Sequence, residues 1–145
     1  MLLIAIWPFL PPILRGWLLL IVIALIGAGI FKANPITDDT PDRANTIHAI
    51  CGMIVILTFP IVATLAVRSL FHYPFWLASQ GILTLGAVLT WIGVVAFFAS
   101  IIISRIIDPA AGQVGPHIYL GWPNRFMVVT YVIWILIVAV TALWL

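Results

Sequence analysis

Apolar and polar positions divide the chain into four long apolar runs separated by shorter polar stretches. The first unbroken run extends from about Ile13 to Phe31, with Arg15 near its start and Lys32 directly after it, each long enough to reach an interface. The second runs from about Thr46 to Val67 without a charged residue and closes at Arg68. A third lies between Phe75 and Ile103 and ends at Ser104-Arg105, and the fourth is apolar from Phe126 to Leu145 behind Pro123. Crossing a hydrocarbon layer takes roughly 20 apolar residues in a helix, a length each run supplies. The pattern predicts an all-α transmembrane bundle of four spans, at about 13–31, 46–68, 76–103 and 124–145, forming one integral membrane domain over residues 1–145.

Punctuation refines these elements. Pro8, Pro11 and Pro12 interrupt the apolar N-terminus, and no basic residue precedes its apolar run, which argues against a cleaved signal peptide. Residues 1 to about 11 instead predict a short Pro-rich interfacial or re-entrant piece. Thr40-Pro41-Asp42 offers a capping hydroxyl, a proline at the first helical position and an acid in the first turn, so the second helix is expected to start there and project from the membrane. Gly81, Gly86 and Gly93 are spaced to admit a neighbouring helix against the third span. Trp76, Trp122, Trp144 and Tyr119 fall at span ends, as interfacial aromatic belts do, whereas Trp91 and Trp134 fall mid-span and are expected to pack.

Composition sharpens the class. Apolar and aromatic residues make up 65% of the 145 and charged residues only 7%, far below the roughly 25% that keeps a soluble domain wetted. A mean hydropathy of +1.29 agrees. Six Lys and Arg against four acids leave a formal charge of +2, too sparse and scattered a basic set for nucleic acid. The one cysteine, Cys51, allows neither an internal disulfide nor a Cys-x-x-Cys site, and reads as a small packing residue.

Four spans put the N-terminal piece, residues 69–77 and the C-terminus on one side, and residues 32–45 and 104–124 on the other. Lys32, Arg43, Arg105 and Arg125 fall on that second side against Arg15 and Arg68 on the first, so the positive-inside rule would make it cytoplasmic. All four acids, Asp38, Asp39, Asp42 and Asp108, lie there too, so those arginines can serve ion pairing instead. Loops 32–45 and 104–124 are on that ground expected on the outer side, with the chain in a bacterial inner, cytoplasmic, membrane.

Most charged and strongly polar side chains gather on this loop face, Asn34, Asp38, Asp39, Asp42, Arg43, Asn45, His48, Arg105, Asp108, His117 and Arg125 among them, against mainly Arg15, Arg68, Ser69, His72 and Gln80 on the other. Longer loops carry more polar residues in any case, which is the plain alternative to a recognition site. His48 is the sharpest candidate. Counted from Pro41 it lies about 10 Å along the second helix, on a stripe with Asn45 and Gly52. An imidazole there suits a general base, proton carrier or metal ligand partnered by Asp38, Asp39 or Asp42, or alternatively an interfacial histidine bonded to a neighbouring helix. Asn34, Asp42, Arg43, Asn45, Arg105, Asp108 and Arg125 form the candidate binding set, with Arg43 and Arg125 in first helical turns where each can pair with a loop acid or hold a lipid phosphate. Neither His48 nor His117 has a ligand partner at helical i, i+4 spacing, and all three histidines fall near span ends, so neither a metal nor a haem-like cofactor is expected.

The stretch GAGIFKANPITDDTPDRANTIHAICGMIVILTFPIVATLAVRSL resembles a family of uncharacterised multi-pass membrane proteins, domain-of-unknown-function family number 998. There a helix ends in a G-x-F-x-x-D-P turn, a short polar loop follows, and the next helix opens with a histidine and later carries a proline. Gly29, Phe31, Pro35, His48 and Pro60 match that order, and Gly121 and Arg125 match a Gly and Arg signature at the last helix. Asn34 stands where the family has Asp, which moves any carboxylate role to Asp38 or Asp39. The family pattern also has about two helices before the first span, so the expectation is a shortened member or a fragment. The resemblance implies a helical membrane bundle of unassigned activity.

Two functional readings remain at this point. One is a lipid-binding or membrane-complex accessory subunit, partnered by membrane lipids, by further copies of itself or by a larger complex. The other is a membrane-embedded hydrolase-like enzyme acting on a lipid or amphiphile through His48 and a loop Asp. Transport is disfavoured by the absence of a mid-membrane charge or an inverted repeat.

Overall fold

A computed structural model describes residues 6–31, 42–107 and 121–144, apart from the side chains of Arg105 and Gly121. Among the described residues every regular element is helical. A single 3-10 turn, Trp7–Phe9, leads into α1 (Pro12–Ile30), followed by α2 (Arg43–Leu70), the one-turn α3 (Pro74–Leu77), α4 (Gln80–Ile107) and α5 (Gly121–Leu143). The chain is a multi-pass integral membrane protein: α1, α2, α4 and α5 are each long and apolar enough to cross a bilayer.

Proline starts α1 cleanly. Pro11 sits extended at the cap with Pro12 behind it, where a missing amide costs nothing, and the Pro11 carbonyl accepts from the Leu14 and Arg15 amides. Leu14, Leu18, Ile21 and Ala24 form its buried stripe, while Ile13, Leu19, Leu20, Ile23 and Ile26 are exposed on the other side. A helix apolar all round has water as a solvent on neither face, so its exposed half is the lipid-facing one.

The start of α2 corrects the sequence reading by two residues. Asp42 itself is the cap: its carboxylate accepts from the Ala44 amide at 3.1 Å, and Thr46 Oγ1 donates back to the Asp42 carbonyl at 3.1 Å. Thr40 and Pro41 lie outside the described residues. A carboxylate binds the positive helix end more strongly than a hydroxyl does, which favours the later start. With 28 residues, α2 is about 42 Å long, well over the roughly 30 Å hydrocarbon thickness, so it must project or tilt.

Pro60 removes one amide from the middle of α2 and so frees the carbonyl four residues earlier, at Ile56. Tyr131 of α5 supplies the missing donor, its hydroxyl lying 2.9 Å from the Ile56 oxygen. Its ring stacks on Phe59 at 4.2 Å and Trp134 meets Phe59 edge-on at 5.6 Å, so large aromatic side chains bridge α2 and α5 across the bundle.

Sequential spans pack antiparallel. Gly27 lies against Cys51, Thr64 accepts from Trp91 Nε1 at 3.0 Å, and Gly86 and Gly93 face Trp134–Ile137 and Met127–Thr130. Gly86 and Gly93 thus mark the close approach their spacing predicts, but Gly81 faces open space. Five residues before Gly86, it points about 140° away from that stripe.

Three further details depart from expectation. The third apolar run does not begin as a span near Trp76: Pro74 starts the separate turn α3, and the span proper begins at Gln80. Trp76 is no belt residue, at 1% exposure, because Phe9 of the N-terminal turn and Phe75 pack on it. Trp134 packs as expected at 2% exposure, whereas Trp91 is 43% exposed and donates from its nitrogen to Thr64.

Candidate functional site

The loop face is built at the end where α2 and α5 start and α1 and α4 finish. His48 faces inward there. Its Nδ1 lies 2.9 Å from the Ala28 carbonyl and 2.8 Å from the Phe31 carbonyl, both at the C-terminal end of α1. Carbonyls only accept, so Nδ1 carries the hydrogen and shares it between them, leaving Nε2 with the lone pair in the neutral ring. The last carbonyls of a helix have no donor of their own, so His48 completes the end of α1 from a neighbouring helix. One turn on, Cys51 fills the space left by Gly27: a Cβ built on Gly27 would sit 2.8 Å from the Cys51 sulfur. His48 and Cys51 thus face α1, whereas Gly52 has nothing within reach of a Cβ.

The remaining described candidates serve other partners. The Asp42 carboxylate caps its own helix, Asn45 is half-buried and engaged, and exposed Arg43 makes no ion pair among the described residues. Arg125 places its guanidinium carbon 5.7 Å from the ring of Trp122, which is 71% exposed as an interfacial aromatic would be. Asn34, Asp38, Asp39 and Asp108 lie outside the described residues, as do His117 and Tyr119, and the Arg105 side chain is not described. Asp42 is thus the only described acid, and the pairing of Arg43 or Arg125 with a loop acid falls outside what can be described. Among the described residues no three His, Cys, Asp or Glu side chains gather as metal ligands.

The opposite end holds a feature the polar-residue pattern does not single out. The Trp7–Phe9 turn folds back onto the corner between α2 and α3, where the Phe9 ring meets Tyr73 at 4.9 Å and Phe75 at 5.3 Å, both edge-on. This contact puts the N-terminal piece and residues 69–77 at the same end of the bundle, as a four-span topology requires. Arg15 pins the turn, donating from Nε to the Leu10 carbonyl at 2.9 Å with its guanidinium carbon 5.6 Å from the Trp7 ring. Between the turn and the corner lies a cleft of about 400 Å³ lined by Phe9, Leu10, Pro11, Ser69, His72 and Tyr73. The available signal was the coincidence of a Pro-rich aromatic turn and the Tyr73-Pro74-Phe75-Trp76 cluster on one side of the topology.

Compared with family models, with characterised proteins and with solved structures, the chain matches none.

Proposed function

We propose that this multi-pass membrane protein is non-catalytic, a lipid-binding or membrane-complex accessory subunit whose recognition face is the end carrying residues 32–45 and 104–124. One observation carries the proposal: His48, Asp42 and Arg125 are each held by a structural partner, namely the end of α1, the start of α2 and the Trp122 ring, and not by one another. A hydrolytic site needs an acid or base pair within mutual hydrogen-bonding reach and aimed at one reacting atom. Here the imidazole nitrogen that would donate to an orienting carboxylate is occupied by backbone carbonyls. Two basic side chains, Arg43 and Arg125, instead stand exposed at the first residue of α2 and just past the first turn of α5, and the positive end of α2 adds to the attraction of Arg43 for an anionic group.

The hydrolase-like alternative has one support of its own, the Nε2 of His48, which has no partner among the described residues, with Asp38 or Asp39 as its acid. One experiment separates the two readings. The purified chain is placed in nanodiscs of mixed phospholipid and release of headgroup or acyl chain is followed for wild type and His48→Ala. No turnover by either, with lower thermal stability in His48→Ala, is the outcome expected of an accessory subunit. Turnover that disappears with His48 while stability holds would establish the enzyme instead.

A further inference from the structure

We propose that the cleft between the N-terminal turn and the α2–α3 corner, at the end opposite the loop face, binds the phosphate headgroup of an anionic phospholipid. Its position is the first ground. The cleft lies where α1 begins and α2 ends, so it opens at headgroup depth rather than in water or in the hydrocarbon.

Charge is the second. No Asp or Glu occurs in residues 1–31, 68–107 or 121–145, so an anion at this end meets no acidic side chain. Cations stand around it. Arg15, which does not itself line the cleft, donates its Nε hydrogen to the Leu10 carbonyl at the cleft wall, and its terminal N–H groups have no hydrogen-bond partner among the described residues. His72 lines the cleft and turns Nδ1 toward the Arg68 and Ser69 carbonyls at 3.0 and 3.3 Å, which leaves Nε2 for a ligand. As an imidazolium it donates to a phosphate oxygen, and as a neutral ring it accepts from a headgroup hydroxyl. Arg68, exposed in the last turn of α2, lies four residues before His72 and next to the lining residue Ser69.

The third ground distinguishes a lipid from a free phosphate. A second, narrower groove of about 90 Å³ lies between the same two helices, lined almost wholly by apolar atoms of Trp17, Thr58, Ile61, Val62 and Leu65. Leu65 is one turn deeper than Ser69, and Thr58 is about 16 Å deeper along the helix axis. Headgroup cleft and apolar groove thus follow one another along the α1–α2 seam, in the order in which a phospholipid presents its phosphate and its acyl chain. The aromatic walls, Phe9 and Tyr73, border the transition.

The test uses the full chain purified in mild detergent, with bound lipid read by native mass spectrometry during titration with phosphatidylglycerol, phosphatidylcholine or inorganic phosphate. Phosphatidylglycerol is expected to bind about tenfold more tightly than phosphatidylcholine, and the double variant Arg68→Gln/His72→Gln to lose about that factor. Both positions are exposed, so folding is not at stake. Leu65→Trp, which fills the groove, should weaken phosphatidylglycerol as well. Equal binding of the two lipids, wild-type affinity in Arg68→Gln/His72→Gln, or displacement of phosphatidylglycerol by millimolar inorganic phosphate would each overturn the proposal.

Discussion

Tyr131→Phe removes one hydroxyl and keeps the ring, so the stack on Phe59 survives while the Ile56 carbonyl loses its donor. In hydrocarbon that oxygen has no water to turn to, because Pro60 has already taken away its helical partner. An unpaired buried acceptor costs about 1–3 kcal/mol in soluble proteins, but interhelical bonds in membranes average about 0.6 and reach about 1.7 kcal/mol, because the separated helices find other partners. A loss of about 1 kcal/mol is therefore expected. The diagnostic measurement is a double-mutant cycle with Pro60→Ala, followed by denaturation in mixed micelles. Alanine restores the amide at position 60, the Ile56 carbonyl regains a helical donor, and Tyr131→Phe should then cost almost nothing. The coupling should be about 1 kcal/mol. If the hydroxyl's cost is the same in both backgrounds, within the roughly 0.3–0.5 kcal/mol scatter of additive sites, then the proline is not the reason for the tyrosine.

Close helix approach makes two further predictions. Gly93→Ala would drive a Cβ into Thr130 Oγ1 and to 3.1 Å from the Met127 Cα, a backbone-level clash expected to cost about 1–3 kcal/mol by thermal denaturation. Gly81→Ala, with nothing within 4 Å, should instead be neutral or gain up to about 1 kcal/mol of helix propensity, and equal losses at the two sites would refute the packing described for α4 and α5. Gly27→Ala meets only a side-chain atom, Cys51 Sγ at 2.8 Å, so Cys51→Ala should restore most of the stability it loses. Failure of that rescue would mean that the Gly27–Cys51 contact does not set the α1–α2 distance.

Spans were legible because bilayer thickness fixes how many apolar residues are needed, and the chain has few charges to confuse the count. Boundaries were less so. Thr40, Pro41 and Asp42 offer two possible caps in three residues, and only the bond from the Ala44 amide chooses between them. His48 stood out as a polar group at membrane depth, but its partners belong to α1, twenty and seventeen residues earlier in sequence, and nothing local announces them. Pro60 and Tyr131 form another such pair, 75 residues apart as Ile56 to Tyr131, each ordinary until the helices are side by side. The cleft at the opposite end was obscured for a different reason. Counting polar residues favours long loops, whereas this cleft is lined by Phe9, Leu10, Pro11 and Tyr73, with only Ser69 and His72 adding polar atoms from their side chains.

Accessibility labelling tests the antiparallel four-span arrangement most directly. In a Cys51→Ala background, single cysteines at Arg43, His72 and Asn124 are challenged with a membrane-impermeant maleimide in sealed vesicles and again after permeabilisation. Positions 43 and 124 should label together, from the side opposite to position 72, and the sidedness of the first pair decides between ion pairing and the positive-inside rule as the source of its arginines. Labelling of all three positions from the same side would contradict the arrangement.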